Sequence, residues 1–396
     1  MTPLITKPKT ITDPIRAGLA RGWKVFGGPH AQAPEALQCD VAIVGSGAGA
    51  GISAEMLTRA GLSVILVEEG PLRSSSDFHQ LEAEAYPSLY QESAARKTAD
   101  KAITILQGRC VGGSTTVNWT SSFRTPPDTL AYWREHFGLD GFAVADMAPW
   151  FAQAERRLSI QPWLAPPNDN NELLRKAAQR LGIEASVISR NVKSCWNLGS
   201  CGMGCPTNAK QSMLVTTLPA ALDAGARLLV QTRVQSLLVE NGRVQGLVAL
   251  AMGADGVPEG ARSTRISARH VVVAGGAINS PALLMRSNAP DPHKLLGTRT
   301  FLHPVVISAT LFEQRIDGWQ GAPQSIYSDH YLHTHPIDGP MGYKLEAPPI
   351  HPVIFSSTLA RYGREQARML GQLPHSHALL ALLRDGFHPE SVGGRV

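Results

Sequence analysis

Two groups of residues in this sequence have both the types and the spacing to do chemistry, and a third has the types alone. The first is Gly45-Ser46-Gly47-Ala48-Gly49-Ala50, a G-x-G-x-x-A turn, with Glu68 following 21 residues after Gly47. Gly45 permits a tight turn, and Gly47 lets the backbone approach a pyrophosphate with no Cβ in the way. Ala50 is small enough for a helix to lie close on a strand. The start of that helix, at Ala48 and Gly49, offers free N–H groups and a partial positive charge to phosphates. A carboxylate at Glu68 can accept hydrogen bonds from both hydroxyls of a ribose. An ordinary strand–turn–helix without a ligand is the alternative, and the position of Glu68 argues against it.

The second group is Cys195, Cys201 and Cys205, in a C-x5-C-x3-C-P arrangement within SCWNLGSCGMGCPTNAK. Three thiolates on Gly-rich turns, with a proline after the last, fit iron–sulfur ligation better than zinc ligation. Only three ligands are visible, so the simpler reading carries more weight: cysteines packing a Gly-rich loop, or one local disulfide. Asn208 and Lys210 complete the hydrogen bonding of that loop. Cys39 and Cys110 stand alone beside apolar runs and read as small buried residues.

The third group is a set of late histidines: His303, His330, His333, His335, His351, His375, His377 and His388. His333 and His335 alternate in an expected strand and would share a face, which is weak evidence for a metal. None can be assigned as a catalytic base. Trp119 and Trp196 are candidates for a pocket wall, although packing is the commoner role of tryptophan.

The elements that must position these groups are legible in part. Cys39–Val44 is a short, almost continuously apolar run, as in a strand buried on both faces. Helical spacing over Ile52–Ala60 ends at Gly61, and Ser63–Val67 is a second buried strand, which completes a βαβ unit. Residues 13–28 read as one short amphipathic helix, and 74–102 as mostly helical. Residues 128–190 read as helices joined by Pro-rich loops. Arg227–Leu250 reads as a hairpin turned at Asn241-Gly242. His270–Ala274 is another buried strand, and Gly275-Gly276 lead into a helix over Ser280–Arg286. Gly275 therefore ends a strand at the carboxyl edge of the sheet, where ligands collect in open α/β folds. Gly112 and Gly113 allow a close backbone approach. Ser114 and Asn118 are polar groups able to reach cofactor or phosphate oxygens, or simply to cap a turn.

Four separated segments carry a family resemblance: IVGSGAGAGISAEMLTRAGLSVILVEEG from Ile43, GRCVGGSTTVNWTSSFR from Gly108, TRVQSLLVENGRVQGLVAL from Thr232, and VVVAGGAINSPALLMRS from Val271. In order and spacing they resemble the glucose-methanol-choline (GMC) oxidoreductases. The resemblance implies an α/β fold with a discontinuous, Rossmann-like FAD-binding domain and an α+β substrate-binding domain. It places the Gly108 segment along the flavin and the backbone of Val234 against adenine. It also implies oxidation of an alcohol CH–OH group by hydride transfer to flavin N5.

On this reading residues 1–38 are an N-terminal extension, 39–304 the FAD-binding region with a helical, Cys-rich insertion at 125–226, and 305–396 a partial substrate domain. The family's basic histidine lies near the C-terminus in an H-x-x-G-T-like segment that is not found here. The chain is therefore expected to be truncated and inactive as it stands, with its base beyond Val396. Some GMC-type sugar dehydrogenases carry a C-x3-C-P element holding a three-iron cluster, which keeps an electron relay through the cysteines among the alternatives. A catalytically silent FAD-binding module is another. An NAD enzyme would leave the Gly108 and Val271 segments unexplained.

Composition excludes some classes. Of the 396 residues, 43% are hydrophobic and 17% charged, which suits a globular enzyme and argues against disorder. The net charge of +5 is scattered, with no run of five basic residues, so nucleic acid is not the expected partner. No stretch approaches the ~20 apolar residues of a membrane span, and residues 1–38 do not read as a secretory signal. A cytoplasmic location is the default expectation. The expected partner is a small-molecule alcohol, with the electron acceptor left open.

Overall fold

The computed structural model describes residues 11–359, 361–384, 390 and 392–396. Seven strands build the principal sheet: β1 (Lys24–Phe26), β2 (Ala36–Val44), β3 (Val64–Val67), β4 (Arg227–Leu229), β5 (Thr232–Glu240), β6 (Arg243–Met252) and β7 (Pro258–Val273). Their spatial order is β1-β4-β3-β2-β7-β6-β5. Strands β1 through β2 pair parallel, β7 joins parallel to β2 (Val271 opposite Ala42, Val273 opposite Val44), and β7-β6-β5 are antiparallel.

Both faces of this sheet are covered, which is why β3 is apolar and buried at every position. Period-2 alternation sorts the side chains. Val41, Ile43, Val64 and Leu66 pack with Ala50 and Ala54 of helix α2 (Ala48–Arg59) and with Leu218 and Leu222 of helix α3 (Thr217–Asp223). On the opposite face, Ala42, Ile65 and Val67 pack with Leu237, Leu247 and Ile266 and with Leu283 of helix α4 (Gly276–Arg286). Each fully buried Ile or Leu contributes about 1.5–3 kcal/mol of transfer free energy, so this two-sided core fixes the register of the central strands. Strand β2 sits where the connections diverge, with β3 on one side and β7 on the other. The carboxyl ends of all three open on the same edge.

A second, wholly antiparallel sheet runs Val305–Leu311, Ser376–Leu383, Tyr343–Glu346, Ile326–Ser328 and Ser186–Val187. The helix Asp169–Leu181 is stitched to it by buried amides. Asn171 Oδ1 accepts from the Ser325 and Ile326 N–H groups at 2.9 and 3.2 Å, and Asn170 Oδ1 accepts from Ala378 N–H at 3.1 Å. The fold is therefore the mixed α/β class with a parallel sheet that the sequence implied.

Local differences have local causes. Residues 13–28 give a helix, α1, only over Pro14–Ala20, capped by Asp13, after which Lys24–Phe26 turns out to β1. Helix α2 starts at Ala48 and α4 at Gly276, earlier than expected, because small residues pack at helix starts as well as in turns. Residues 74–102 are mostly irregular. Only Glu82–Leu89 is α-helical, and Glu92, Ser93 and Ala94 then adopt left-handed φ of 50°, 55° and 64°. Arg227–Leu229 leaves the hairpin to become β4, while Asn241 and Gly242 (φ 49° and 74°) make the expected turn between β5 and β6. His333 and His335 lie in a turn and not in a strand. The sequence near His388 lies outside the described residues.

The strand Val305–Leu311 is exposed at all seven positions, forms the edge of the second sheet and reads VVISATL. An apolar edge of this kind templates strand pairing between molecules. Ile307→Lys is expected to lower concentration-dependent light scattering severalfold while changing unfolding free energy by no more than ~0.5 kcal/mol. Unchanged self-association would show that this edge is not the contact.

Candidate functional site

The carboxyl edge of the principal sheet carries three glycine-rich loops that touch through their backbones. At Gly45 φ is +95°, and a Cβ there would meet Ala274 O, at the end of β7, at 2.6 Å. At Gly113 a Cβ would lie 2.8 Å from Gly47 Cα, and at Gly108 it would lie 2.7 Å from Gly113 C. No side chain fits at these three contacts. Gly47 differs: its φ is −72°, and a Cβ would meet only Gly113 Cα, at 3.9 Å. The protein itself leaves room at Gly47, on the side facing a cleft.

The serine of the fingerprint holds these loops together. Ser46 Oγ donates to Glu68 Oε2 at 2.5 Å and accepts from Gly112 N–H at 3.0 Å. Glu68 Oε1 accepts from Gly70 N–H at 2.8 Å. Burial pushes the Glu68 carboxyl up to about 7, the hydrogen bonds from Ser46 and Gly70 offsetting only part of the desolvation. Sequence reasoning passed over Ser46, because the fingerprint treats its position as free.

The cleft beside these loops has a volume of about 300 Å³. Its walls include nine of the expected residues: Gly45, Gly47, Ala48, Gly49, Glu68, Gly113, Ser114, Val234 and Gly275. Helix α2 points its N-terminus into it with no side-chain cap at Gly47 and no acidic residue in its first turn, so the N–H groups and the dipole are left for an anion. Ala50 and Gly112 are buried behind the wall. At Val234, which lines the cleft, the β5–β6 ladder slips by one residue and forms a bulge. Arg286, from α4, donates to the Val234 carbonyl at 3.4 Å.

Asn118 is not part of this wall. Its carbonyl accepts from Lys210 Nζ at 2.5 Å, and its Oδ1 is buried with no hydrogen-bond partner. Residues not anticipated line the other rim: Gln91, Gln107 and Asn279. All three are gathered by Arg96, whose guanidinium donates to Gln107 Oε1 at 2.8 Å and to Asn279 and Gln91 at 3.4 Å. Nothing in their spacing announces this, since it depends on the left-handed turn at Glu92–Ala94.

The three clustered cysteines are free thiols with separate partners. Cys195 Sγ accepts from Asn197 N–H at 3.4 Å, Cys201 Sγ from Arg190 Nη2 at 3.6 Å, and Cys205 Sγ from Lys210 N–H at 3.4 Å. Burial raises the Cys195 pKa, which favours the thiol over a ligating thiolate. Among the described residues no group of three His, Cys, Asp or Glu is placed to hold a metal ion. The geometry favours the loop-packing reading over the iron–sulfur one. Trp196 is exposed, and Trp119 packs on Gly202.

None of the described late histidines lines the cleft. His351 contacts Gly199 O at 3.2 Å and His377 contacts Asn170 Oδ1 at 2.7 Å, and burial lowers both pKa values. His375 contacts Gln314 O and His333 pairs with Asp128, while His303, His330 and His335 are exposed. His388 is outside the described residues. No helix among those described is long and apolar enough to cross a membrane.

The family model described as GMC oxidoreductase matches residues 86–305. The uncharacterized GMC-type oxidoreductase y4nJ of Sinorhizobium fredii is 34% identical over 285 residues, which is 72% of this chain and 55% of that protein. The long-chain-alcohol oxidase FAO1 of Arabidopsis thaliana is 26% identical over 371 residues, 90% of this chain and 48% of that protein. The chain thus spans about half the length of the curated relatives it matches. Among solved structures, formate oxidase of Aspergillus oryzae RIB40 aligns at TM-score 0.65 with 14% identity, over 92% of this chain and 75% of that one.

The Glu68 carboxyl supplies a test of the site without ligand. Folded, it keeps its proton to about pH 7, whereas an ordinary carboxyl releases it near 4.5. The folded state therefore binds more protons in that window, and the cofactor-free chain should lose stability as pH rises from about 4.5 to about 7, then level off. Thermal unfolding midpoints across this window should fall less steeply in Glu68→Gln. Parallel pH profiles for the two proteins would contradict the assigned environment.

Proposed function

The chain belongs to the GMC oxidoreductase family, and on that premise we propose that it binds FAD along the cleft and serves oxidation of an alcohol CH–OH group. The observation that carries this reading is the backbone-to-backbone meeting of three glycine-rich loops, which leaves a groove open at Gly47 with an acid at one end. The Gly45–Gly49 turn and the start of α2 would take the pyrophosphate through N–H groups. Glu68 would take the ribose hydroxyls, and the bulge at Val234 would offer backbone groups to adenine. Gly113, Ser114 and Gly275 would border the flavin end. FAD, once bound, supplies the hydride acceptor at its N5 atom.

The chain's own residues do the rest. The buried Ser46–Glu68–Gly112 contacts hold the loops at a fixed spacing, which orients a bound dinucleotide before it arrives. The apolar backing of Val44, Val67 and Leu283 keeps water from the far side of the cleft. A relative that is a long-chain-alcohol oxidase and a structural neighbour that is a formate oxidase studied for FAD modification support this cofactor and an oxidisable organic substrate.

One observation favours a second reading for this 396-residue chain. None of the described histidines lines the cleft, and a positioned base is worth about 10²–10⁴ in rate. We propose that the chain holds FAD without turning alcohols over at an enzyme-like rate.

Both readings are tested together. Purified chain reconstituted with FAD should show flavin absorbance near one equivalent. Gly47→Ala should lose most of it with an unchanged unfolding midpoint, because the new methyl has room in the protein but not beside a pyrophosphate. Full flavin content in Gly47→Ala would remove the pyrophosphate assignment. Anaerobic mixing of the wild-type chain with primary alcohols, sterols and sugars should reduce its flavin at least 10²-fold more slowly than a chain carrying a positioned base, and rapid reduction would overturn the second reading.

A further inference from the structure

Arg96 stands behind the rim formed by Gln91, Gln107 and Asn279, and it decides which way their carboxamides point. Its side chain is largely buried, and Nε donates to Glu92 Oε1 at 2.9 Å, which leaves both Nη atoms for the amides. Nη1 reaches Gln107 Oε1 at 2.8 Å and Asn279 Oδ1 at 3.4 Å, and Nη2 reaches Gln91 Oε1 at 3.4 Å. A guanidinium donates and never accepts, so each amide must give Arg96 its oxygen and keep its N–H groups for something else. No described residue accepts a hydrogen bond from any of the three amide nitrogens. All three residues line the cleft, Gln91 with only 7% of its surface exposed.

A circuit of close contacts ties this rim to the fingerprint turn. A Cβ on Gly276 would lie 3.4 Å from Gln107 Nε2, and one on Gly45 would lie 3.3 Å from Gly275 Cα. In the other direction Gly108, next to Gln107, abuts Gly113, and Gly113 abuts Gly47. The cleft is therefore lined by free N–H donors twice, at the uncapped start of α2 and at the carboxamides. The carboxylates among its described lining residues, Glu68 and Glu69, follow β3 and not this rim. Two donor sets joined through the same glycines suit a ligand group that only accepts and carries several oxygens, which is the chemistry of a diphosphate. Three consecutive non-glycine residues, Glu92–Ala94, take left-handed φ between Gln91 and Arg96, a strained turn of the kind retained at ligand clamps.

We propose that Gln91, Gln107 and Asn279 form a second donor set for the diphosphate of bound FAD, and that Arg96 is the positioning residue that presents their N–H groups. This rests on the FAD reading above and adds to it four residues outside the glycine fingerprint. Arg96 acts through the amides and not by its own contact with the cofactor.

The test titrates FAD and ADP separately into the full, cofactor-free chain by calorimetry, with unfolding midpoints measured alongside. Gln107→Glu keeps an oxygen for Arg96 and replaces the amide N–H groups with negative charge. It is expected to weaken both FAD and ADP about tenfold or more, with a midpoint at or above that of wild type. A purely structural tie to Arg96 would survive this change with affinity intact. Asn279→Asp makes the same exchange in the first turn of α4, where an acid favours the helix, and keeps the test decisive if Gln107→Glu fails to fold. Arg96→Met frees the amides to turn and should weaken both nucleotides severalfold.

Wild-type affinity for FAD and ADP in folded Gln107→Glu and Asn279→Asp would overturn the proposal. Loss of FAD affinity with ADP affinity intact would move the amides to the flavin and overturn the diphosphate assignment. A wild-type chain that takes up neither FAD nor ADP contradicts the cofactor reading instead, and this inference falls with it.

Discussion

The hydroxyl of Ser46 is where three remote pieces of chain become one site. It donates to Glu68 at the end of β3 and accepts from Gly112 in the second glycine-rich loop, while its own turn follows β2. All of these groups are buried, so each contact replaces water that cannot return. Leaving a buried donor or acceptor unpaired costs about 1–3 kcal/mol. The glycine contacts at Gly45, Gly108 and Gly113 depend on that spacing, and so does the open side at Gly47. Once the loops are locked there, the cleft is a consequence of the backbone and not of any large side chain.

The sheet makes this lock possible. Strand β2 is flanked by β3 and β7, so three carboxyl ends finish side by side, and the two apolar layers keep them in register. The Cys195–Lys210 loop contributes from a different direction. It buries an ammonium under the Ser114–Asn118 turn, and its three thiols are engaged in hydrogen bonds, two of them at Cys205. The second sheet joins through buried side chains, among them Arg190, whose Nη1 donates to Pro323 O and whose guanidinium lies over the Trp163 ring.

The parts of this arrangement that depend on one residue's geometry were legible in the sequence. Glycines at Gly45, Gly47 and Gly113, the acid at Glu68, and the buried runs of β2 and β3 each answer a local steric or solvation demand that periodicity and residue type reveal. The parts that depend on where distant segments meet were not. Ser46 is an ordinary residue until Gly112 arrives beside it. Arg96 gathers Gln91, Gln107 and Asn279 only because three residues take a left-handed turn that no residue type there requires. Lys24–Phe26 reads as the tail of a helix until β4 offers a parallel partner some two hundred residues later. The histidine alternation at His333 and His335 suggested a strand, yet alternation over two residues is too short to outweigh the turn that forms.

We infer that FAD lies across the Gly45–Ala50 loop, the Gly108–Ser114 loop and the Val234 bulge at once. Hydrogen–deuterium exchange of the wild-type chain, with and without FAD, measures that directly. The account predicts that FAD slows exchange together at Gly45–Ala50, at Gly108–Ser114 and at the Val234 bulge, with little change in the second sheet. Unaltered exchange at these three segments in flavin-loaded protein, or protection centred on any other surface, would contradict it.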